Sequence, residues 1–182
     1  MRHIKDREEQ AAITAIVVMG VSGSGKSTIG EKLAVRLGWR FFDGDDFHPE
    51  ENKVKQSKGI PLNDDDRLPW LKNLSRLVAS SENEGSLILA CSALRRFYRE
   101  IIVGSLPSVM FVYLQGTQEL IGERLAERKG HFMNPALLPA QFATLEEPSE
   151  EEAVHIDISP SPDEIVESIV INMKAGVSVE IS

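Results

Sequence analysis

A glycine-rich segment near the start of the chain carries residues that could bind phosphate. Residues 20–27 read Gly-Val-Ser-Gly-Ser-Gly-Lys-Ser and match the pattern G-x-x-x-x-G-K-S/T. Glycines let successive backbone N–H groups point at one anion, and the helix that follows adds the positive end of its dipole. We expect Lys26 to reach the β- and γ-phosphates and the Ser27 hydroxyl to bind Mg²⁺. The predicted nucleotide contacts are Gly20, Val21, Ser22, Gly23, Ser24, Gly25, Lys26, Ser27 and Thr28.

The residues on either side of this loop have the patterns of a strand and a helix. Residues 13–19 form an apolar, β-branched run that is typical of a buried strand. Residues 28–37 place Ile29, Leu33 and Leu37 on one helical face. A glycine-rich turn that only caps a helix is the alternative. The order of strand, loop, Lys-Ser and helix favours the binding of a nucleoside triphosphate such as ATP.

Two carboxylates, Asp43 and Asp45, stand at the end of the second predicted strand, which covers residues 39–43. Parallel sheets bind ligands at the carboxyl ends of their strands, and Asp43 and Asp45 would point the same way on an extended segment. Mg²⁺ takes oxygen ligands, and a substrate hydroxyl needs a group that orients it and accepts its proton. We assign Asp43 to the water molecules of the metal and Asp45 to the hydroxyl. An acidic turn that caps the next helix is the alternative.

Arg67 stands behind three acids in the segment Asn63-Asp-Asp-Asp-Arg67. The acids suit the first turn of a helix that Asn63 caps, because the helix dipole favours anions there. The forked donors of Arg67 could instead bind a substrate carboxylate through two hydrogen bonds. The pattern favours cap and substrate site equally. Trp70 is expected in the core.

The third predicted strand, residues 86–91, leads into a basic segment. Many NTPases place a metal-binding Asp near this strand end, whereas this chain has Cys91-Ser92, so metal support is expected from Asp43. Arg95, Arg96 and Arg99 fit a solvated helix face, yet we expect at least one to face the cleft. Cys91 is expected to be a buried, small apolar residue.

A second basic cluster suggests a mobile lid at about residues 124–147. Arg124 and Arg128 lie on one helical face, and Gly130 is a plausible hinge. Cations that close over the γ-phosphate would neutralise charge in the transition state and exclude water. A solvent-facing helix end is the alternative. His131 fits a phosphate or substrate contact and an ordinary loop histidine equally well.

Composition limits the class of protein. The chain has 182 residues, and its net charge of −8 argues against a general nucleic-acid or membrane surface. There is no apolar run long enough to span a bilayer, and the charged start does not resemble a signal peptide. A single cysteine fits a reducing compartment, so the expected location is cytoplasmic.

Strands alternate with helices along the chain, which predicts an α/β sandwich with a five-stranded parallel sheet and helices on both faces. Residues 11–176 are predicted to form one P-loop domain, with loose tails at 1–10 and 177–182. The remaining strands are predicted at 109–114 and 154–158. The remaining helices are predicted at 50–58, after the Asn63 cap, at 94–103, after Thr117, at 135–147 and at 163–174.

Six segments in this order resemble the gluconokinase family. They read GVSGSGKS at 20–27, DGDDFHP at 43–49, GIPLNDDDR at 59–67, ACSAL at 90–94, RKGHF at 128–132 and QFATLE at 141–146. The resemblance covers about residues 16–171. The glycine-rich loop alone is common to many proteins, whereas the other segments are far more specific.

The resemblance implies the nucleoside-monophosphate-kinase-like fold and the ATP-dependent phosphorylation of D-gluconate at its 6-hydroxyl. The product would be 6-phosphogluconate for the pentose phosphate pathway, and the dimers known among bacterial relatives suggest a homodimer. Similarity to the shikimate kinase branch agrees with the roles given to Asp43 and Asp45. The expected substrate contacts are Asp45, His48, Arg67, Ser92, Arg95 and His131. Another small-molecule kinase and a nucleotide-dependent switch without a small acceptor are the alternatives.

Overall fold

A computed structural model describes residues 12–127 and 138–175. These residues contain a five-stranded sheet in the order β2-β3-β1-β4-β5, and every neighbouring pair is parallel. The strands are β1 Ala15–Met19, β2 Arg40–Asp43, β3 Leu87–Ala90, β4 Val109–Gln115 and β5 Val154–Asp157. The predicted parallel sheet is therefore confirmed.

The helices that connect the strands lie close to the predicted positions. They are α1 Lys26–Leu37, α2 Glu50–Ser57, α3 Asp64–Glu84, α4 Arg96–Val103, α5 Gln118–Glu127, α6 Leu138–Thr144 and α7 Pro162–Lys174. Asn63 caps α3 as predicted: its side chain accepts a hydrogen bond from the Asp66 amide, and the Asp66 carboxylate accepts one from the Asn63 amide. Among the described residues, no helix is both long and apolar enough to cross a membrane.

The sheet separates two apolar layers because successive side chains of a strand point to opposite faces. On β1, Ile16 and Val18 pack with residues of α1, α5 and α7. Val17 and Met19 pack on the other face with residues of α3 and α4. All four side chains are fully buried, and each contributes roughly 1.5–3 kcal/mol through the loss of apolar surface. The core thus holds β1 rigidly at the centre of the sheet, where it leads into the phosphate loop.

Two predicted helix boundaries are wrong, and both errors have a local cause. Helix α4 begins at residue 96 rather than 94, because Ala93 has a φ of 44° and Arg95 is extended. Helix α6 ends at Thr144 rather than near 147, because the Glu146 amide donates to the Leu94 carbonyl at 2.8 Å. The predicted start of α6 at 135 lies outside the described residues.

Candidate active site

The phosphate loop connects β1 to α1 and depends on glycines. Gly23 has a φ of 81°, and a Cβ at this position would lie 2.6 Å from the Leu125 side chain. Any other residue would therefore be strained in its backbone and would collide with α5. Gly25 precedes α1 with a φ of 98°, and from there the main chain turns directly into the helix. The sequence thus folds into the curled loop and helix N-terminus that suit an anion.

Lys26 and Ser27 begin α1 and face the end of β2. The Lys26 ammonium donates to the Val21 carbonyl at 2.9 Å, so its side chain folds back over the loop. The Ser27 hydroxyl donates to the Asp43 carboxylate at 2.9 Å. These two oxygen groups are hard ligands of the kind that Mg²⁺ prefers, so the residues fit the predicted metal. In residues 12–127 and 138–175 no cluster of three or more His, Cys, Asp or Glu could hold a metal, so phosphate and water would supply the other ligands.

Asp45 lies in a 3₁₀ turn, Gly44–Phe47, rather than on the extended segment that was predicted. The turn forms because the Asp43 carboxylate accepts a hydrogen bond from the Asp45 amide at 3.0 Å. Desolvation raises the pKa of Asp45, and the charge of Asp43 raises it further, while Lys26 opposes both. Burial lowers the pKa of Lys26, with Asp45 the strongest opposing charge. Asp45 is open to solvent and Lys26 is half-buried, so water moderates both shifts. The three groups therefore share one electrostatic site.

Trp70 holds the turn that carries Asp45. Its indole N–H donates to the Gly44 carbonyl at 2.7 Å, and its ring stacks on His48 with centroids 4.4 Å apart. Asn52 lies 3.3 Å from His48 Nδ1 and donates to the Asp66 carbonyl at 2.7 Å. Burial, together with the charges of Arg67 and Lys53, lowers the pKa of His48 to about 4. His48 thus supports the turn as a neutral ring, and its predicted substrate contact stays a prediction.

Arg67 belongs to a group of four side chains that we call the arginine cluster, formed by Asp64, Arg67, Arg95 and Tyr98. The Tyr98 hydroxyl donates to Asp64 at 2.5 Å and accepts from Arg67 at 3.0 Å. Arg95 donates to the other Asp64 oxygen at 2.7 Å. The hydrogen bond from Tyr98 is the main cause that lowers the pKa of Asp64. Asp64 thereby orients both arginines, so the acidic segment is at once a helix cap and a positioning group.

The residues after β3 have several environments. The Ser92 carbonyl accepts from the Gly20 amide at 3.4 Å, which puts Ser92 beside the phosphate loop. Cys91 is buried, as predicted, and burial raises its pKa to about 12. Arg99 is also buried and donates to the carbonyls of Ala93 and Glu146 at 3.2 and 3.0 Å. The interpretation of a solvated helix face is therefore wrong for Arg99, which lies in the interior.

Arg124 lines a cavity of about 410 Å³ at the N-terminal end of α1. Gly25, Thr28, Pro160 and Pro162 also line this cavity. The Arg124 guanidinium donates to the Ile158 carbonyl at 2.8 Å, so it is fixed against the segment between β5 and α7. Arg128 and His131 lie outside the described residues, and their roles stay predictions.

Three groups in contact with this region were not anticipated from sequence. Tyr98 lies within a predicted helix, and no sequence pattern indicates that its hydroxyl would bond to Asp64 and Arg67. The cavity prolines, Pro160 and Pro162, follow the last strand. Gln141 occurs in a segment that resembles the gluconokinase family, but no role could be assigned to it without its contact to Ser22.

Comparisons with known proteins agree with this geometry. The shikimate kinase family profile matches residues 22–174. A probable gluconokinase of Dictyostelium discoideum is 47% identical over 91% of this chain and 88% of its own length. A thermosensitive gluconokinase of Escherichia coli strain K12 is 48% identical over 80% of this chain and 79% of its own. The crystal structure of a gluconokinase from Sinorhizobium meliloti 1021 aligns with a TM-score of 0.77 and 44% identity, covering 90% of each chain.

Identity at this level over most of both chains is a relation of family rather than of fold alone. The chain belongs to the gluconokinase family of P-loop kinases.

Proposed function

We propose that this protein transfers the γ-phosphoryl group of ATP to the 6-hydroxyl of D-gluconate, which yields 6-phospho-D-gluconate and ADP. The observation that carries the proposal is the shared site where β1 and β2 end: Ser27, next to Lys26, donates to the Asp43 carboxylate, which also accepts from the Asp45 amide. The arginine cluster lies near this site, since the charge of Arg67 lowers the pKa of His48, whose ring stacks on Trp70, and Trp70 donates to the Gly44 carbonyl. A donor of phosphate and a carboxylate-bearing acceptor therefore have adjacent sites.

The phosphate loop and the cavity beside it suit the two halves of ATP. Backbone amides of residues 20–28 and Lys26 would hold the phosphates. The cavity bordered by Arg124, Pro160 and Pro162 would hold the nucleoside, because a guanidinium plane stacks on aromatic rings. From its present position Arg124 is better placed for the nucleoside than for the transferring phosphoryl group. The predicted charge neutralisation would therefore fall more to Arg128.

Ser27 and water molecules held by Asp43 would bind Mg²⁺. When bound, this ion would neutralise charge on the β- and γ-phosphates. The side chains supply the two oxygen groups for it within one hydrogen bond of each other. Their hydrogen bond also holds the start of α1 against the end of β2.

Asp45 would orient the 6-hydroxyl and accept its proton. The hydroxyl oxygen then forms a bond to the γ-phosphorus, the bond from that phosphorus to the bridging oxygen breaks, and ADP leaves. The raised pKa of Asp45 makes it a better proton acceptor than an ordinary carboxylate, provided that it is ionised.

The gluconate carboxylate would bind to Arg67. Arg95 already pairs with Asp64 at 2.7 Å, whereas Arg67 bonds to the neutral Tyr98 hydroxyl. The forked guanidinium of Arg67 can therefore bind a carboxylate by donating two hydrogen bonds, without displacing another charged group. His48, Ser92, Arg95 and His131 stay predicted contacts to the rest of the substrate.

The test is a panel assay of ADP release with purified protein, ATP and Mg²⁺. The acceptors are D-gluconate, shikimate, other sugar acids and nucleoside monophosphates, and the product is identified by phosphorus NMR. We expect turnover with gluconate to exceed that with every other acceptor, and phosphate on the 6-oxygen. Preferred use of shikimate or a nucleotide would overturn the substrate, and tight ATP binding without any product would favour a nucleotide-dependent switch.

Four further expectations belong to this proposal. They are the requirement for Mg²⁺, a cytoplasmic location, a homodimer, and one kinase domain at 11–176 with a lid at about 124–147, whose last residues, 141–146, would form its fixed end. The place of the product in the pentose phosphate pathway depends on the same assay.

A further inference from the structure

The segment from Gln141 to Glu146, which we call the strut, contacts both halves of the candidate site. It begins on α6 and continues into the connection to β5. Its first residue contacts the phosphate loop and its last contacts the start of α4, beside the arginine cluster. The roles proposed above for ATP, metal and gluconate use neither residue.

Gln141 makes the contact to the phosphate loop. The Ser22 amide donates to the Gln141 side-chain oxygen at 2.6 Å, across 119 positions of sequence. Leu125 of α5 packs on the next loop residue, Gly23. The loop is therefore held on one side by an apolar contact and on the other by a hydrogen bond. That bond fixes the direction of the Ser22 amide, and with it the peptide plane that leads into the phosphate-binding residues.

Glu146 makes the contact at the other end. Its carboxylate accepts from the Arg96 amide at 2.7 Å, at the N-terminus of α4, and lies 3.7 Å from Arg95 Nε. A carboxylate at a helix N-terminus is stabilised by the unpaired amides and the dipole. Glu146 therefore fixes both the start of α4 and the residue that reaches Asp64.

The strut is rigid between these two contacts. The Leu145 amide donates to the Gln141 carbonyl at 2.9 Å, and the Glu146 amide donates to the Leu94 carbonyl at 2.8 Å. The buried Arg99 donates to the Glu146 carbonyl at 3.0 Å. The strut therefore gives each half a fixed support, and the loss of one contact releases the half that it holds while the strut and the other half stay in place.

We propose that Gln141 and Glu146 are positioning residues that set the two halves of the site at a fixed spacing. Gln141 positions the phosphate loop for ATP, and Glu146 positions Arg95 and, through Asp64, the arginine cluster for the acceptor. The proposal rests on the proposed function, because it separates an ATP half from a gluconate half. It assigns each residue a different kinetic signature.

The experiment compares Gln141→Met with Glu146→Met in steady-state kinetics, each with both substrates varied. Methionine keeps the approximate size of either side chain but offers only a weakly accepting sulfur in place of the oxygen. We expect Gln141→Met to raise KM for ATP about tenfold and to change KM for gluconate less than twofold. Glu146→Met is expected to raise KM for gluconate about tenfold and to leave KM for ATP within twofold.

Conservative and control variants distinguish positioning from general stability. Glu146→Gln keeps an acceptor for the Arg96 amide without the charge. Its KM for gluconate should therefore lie between those of the wild type and Glu146→Met. Glu150→Gln, on the connection that follows the strut, should match the wild type in both KM values. Melting temperatures are measured for every variant. If Gln141→Met fails to fold, Gln141→Asn is used, because its shorter side chain cannot keep the contact.

Lower melting temperatures with both KM values unchanged would overturn the proposal, and so would equal changes in both KM values for each variant. A failure of the proposed function is seen separately, because the wild-type protein would then not phosphorylate gluconate. With an active wild type, the variants test the strut alone.

Discussion

The two halves of the site are built from different parts of the chain. On the phosphate side, one continuous loop uses its own backbone amides, and its shape depends on glycines such as Gly23. On the acceptor side, Asp64 and Arg67 come from α3, whereas Arg95 and Tyr98 come from the start of α4. The phosphate half uses main-chain groups that are adjacent in sequence, whereas the acceptor half uses side chains from two helices that are distant in sequence.

This difference explains what each half can recognise. Backbone amides at a helix N-terminus respond to negative charge, and every nucleoside triphosphate offers the same phosphates. A cluster of forked and hydroxyl groups responds to the position of a carboxylate and its distance from the reacting oxygen. Discrimination among acceptors is therefore expected to reside in the arginine cluster. Three variants test this separation, in order of decreasing effect.

Asp45→Asn tests the point where the two halves meet. We expect kcat to fall by roughly 10²–10⁴, because the amide cannot accept the proton of the hydroxyl. The same variant should have a higher melting temperature at pH 7. The pKa of Asp45 is raised in the folded state, so its contribution to stability is present at low pH and is lost as the pH rises through that value. Kinetics and thermal melts check both, and near-normal turnover would remove Asp45 from the reaction.

Arg67→Lys tests the acceptor half alone. Lysine keeps the charge but loses the fork, so we expect KM for gluconate to rise by about 10-fold or more, with KM for ATP unchanged. Arg76→Lys on the same helix is the matched control, because Arg76 donates to its neighbour Asn73 and does not belong to the arginine cluster. Equal changes in the two KM values would show that the halves are not separable at this residue.

His48→Gln tests the support beneath the acceptor half. The pKa of His48 is lowered to about 4 in the folded state, so the unfolded chain binds a proton first as the pH falls below the ordinary value of 6.5. Wild-type stability should therefore decrease between pH 6.5 and 4, by roughly 2 kcal/mol at pH 5. Urea unfolding at pH 7.5 and pH 5 should show a smaller decrease for the variant. An identical decrease in both proteins would contradict the burial of a neutral ring.

The contrast between the halves also determines how far sequence reasoning succeeds. The phosphate loop, the strands and the Asn63 cap were predicted because each depends on residues that are adjacent in sequence. Asp43 and Asp45 were identified, but the turn between them was not, because the hydrogen bond from the Asp45 amide competes with extended backbone.

Contacts between distant residues were not predictable from local pattern. Tyr98 meets Asp64 across 34 positions, and Gln141 meets Ser22 across 119. Neither residue has a local pattern that marks its partner. The sheet order brings them together only after the fold has formed, so a single sequence indicates the residue types but not their pairing.

The central place of β1 has a consequence for synthesis. The phosphate loop is translated before most of its supports, because β1 pairs with β3 and β4 and these sheet partners extend to Tyr113. Gln141, which steadies the loop, is translated later still. Nascent chains that stop before these residues cannot hold nucleotide tightly, and ATP can act as a folding ligand only after Gln141 has been translated.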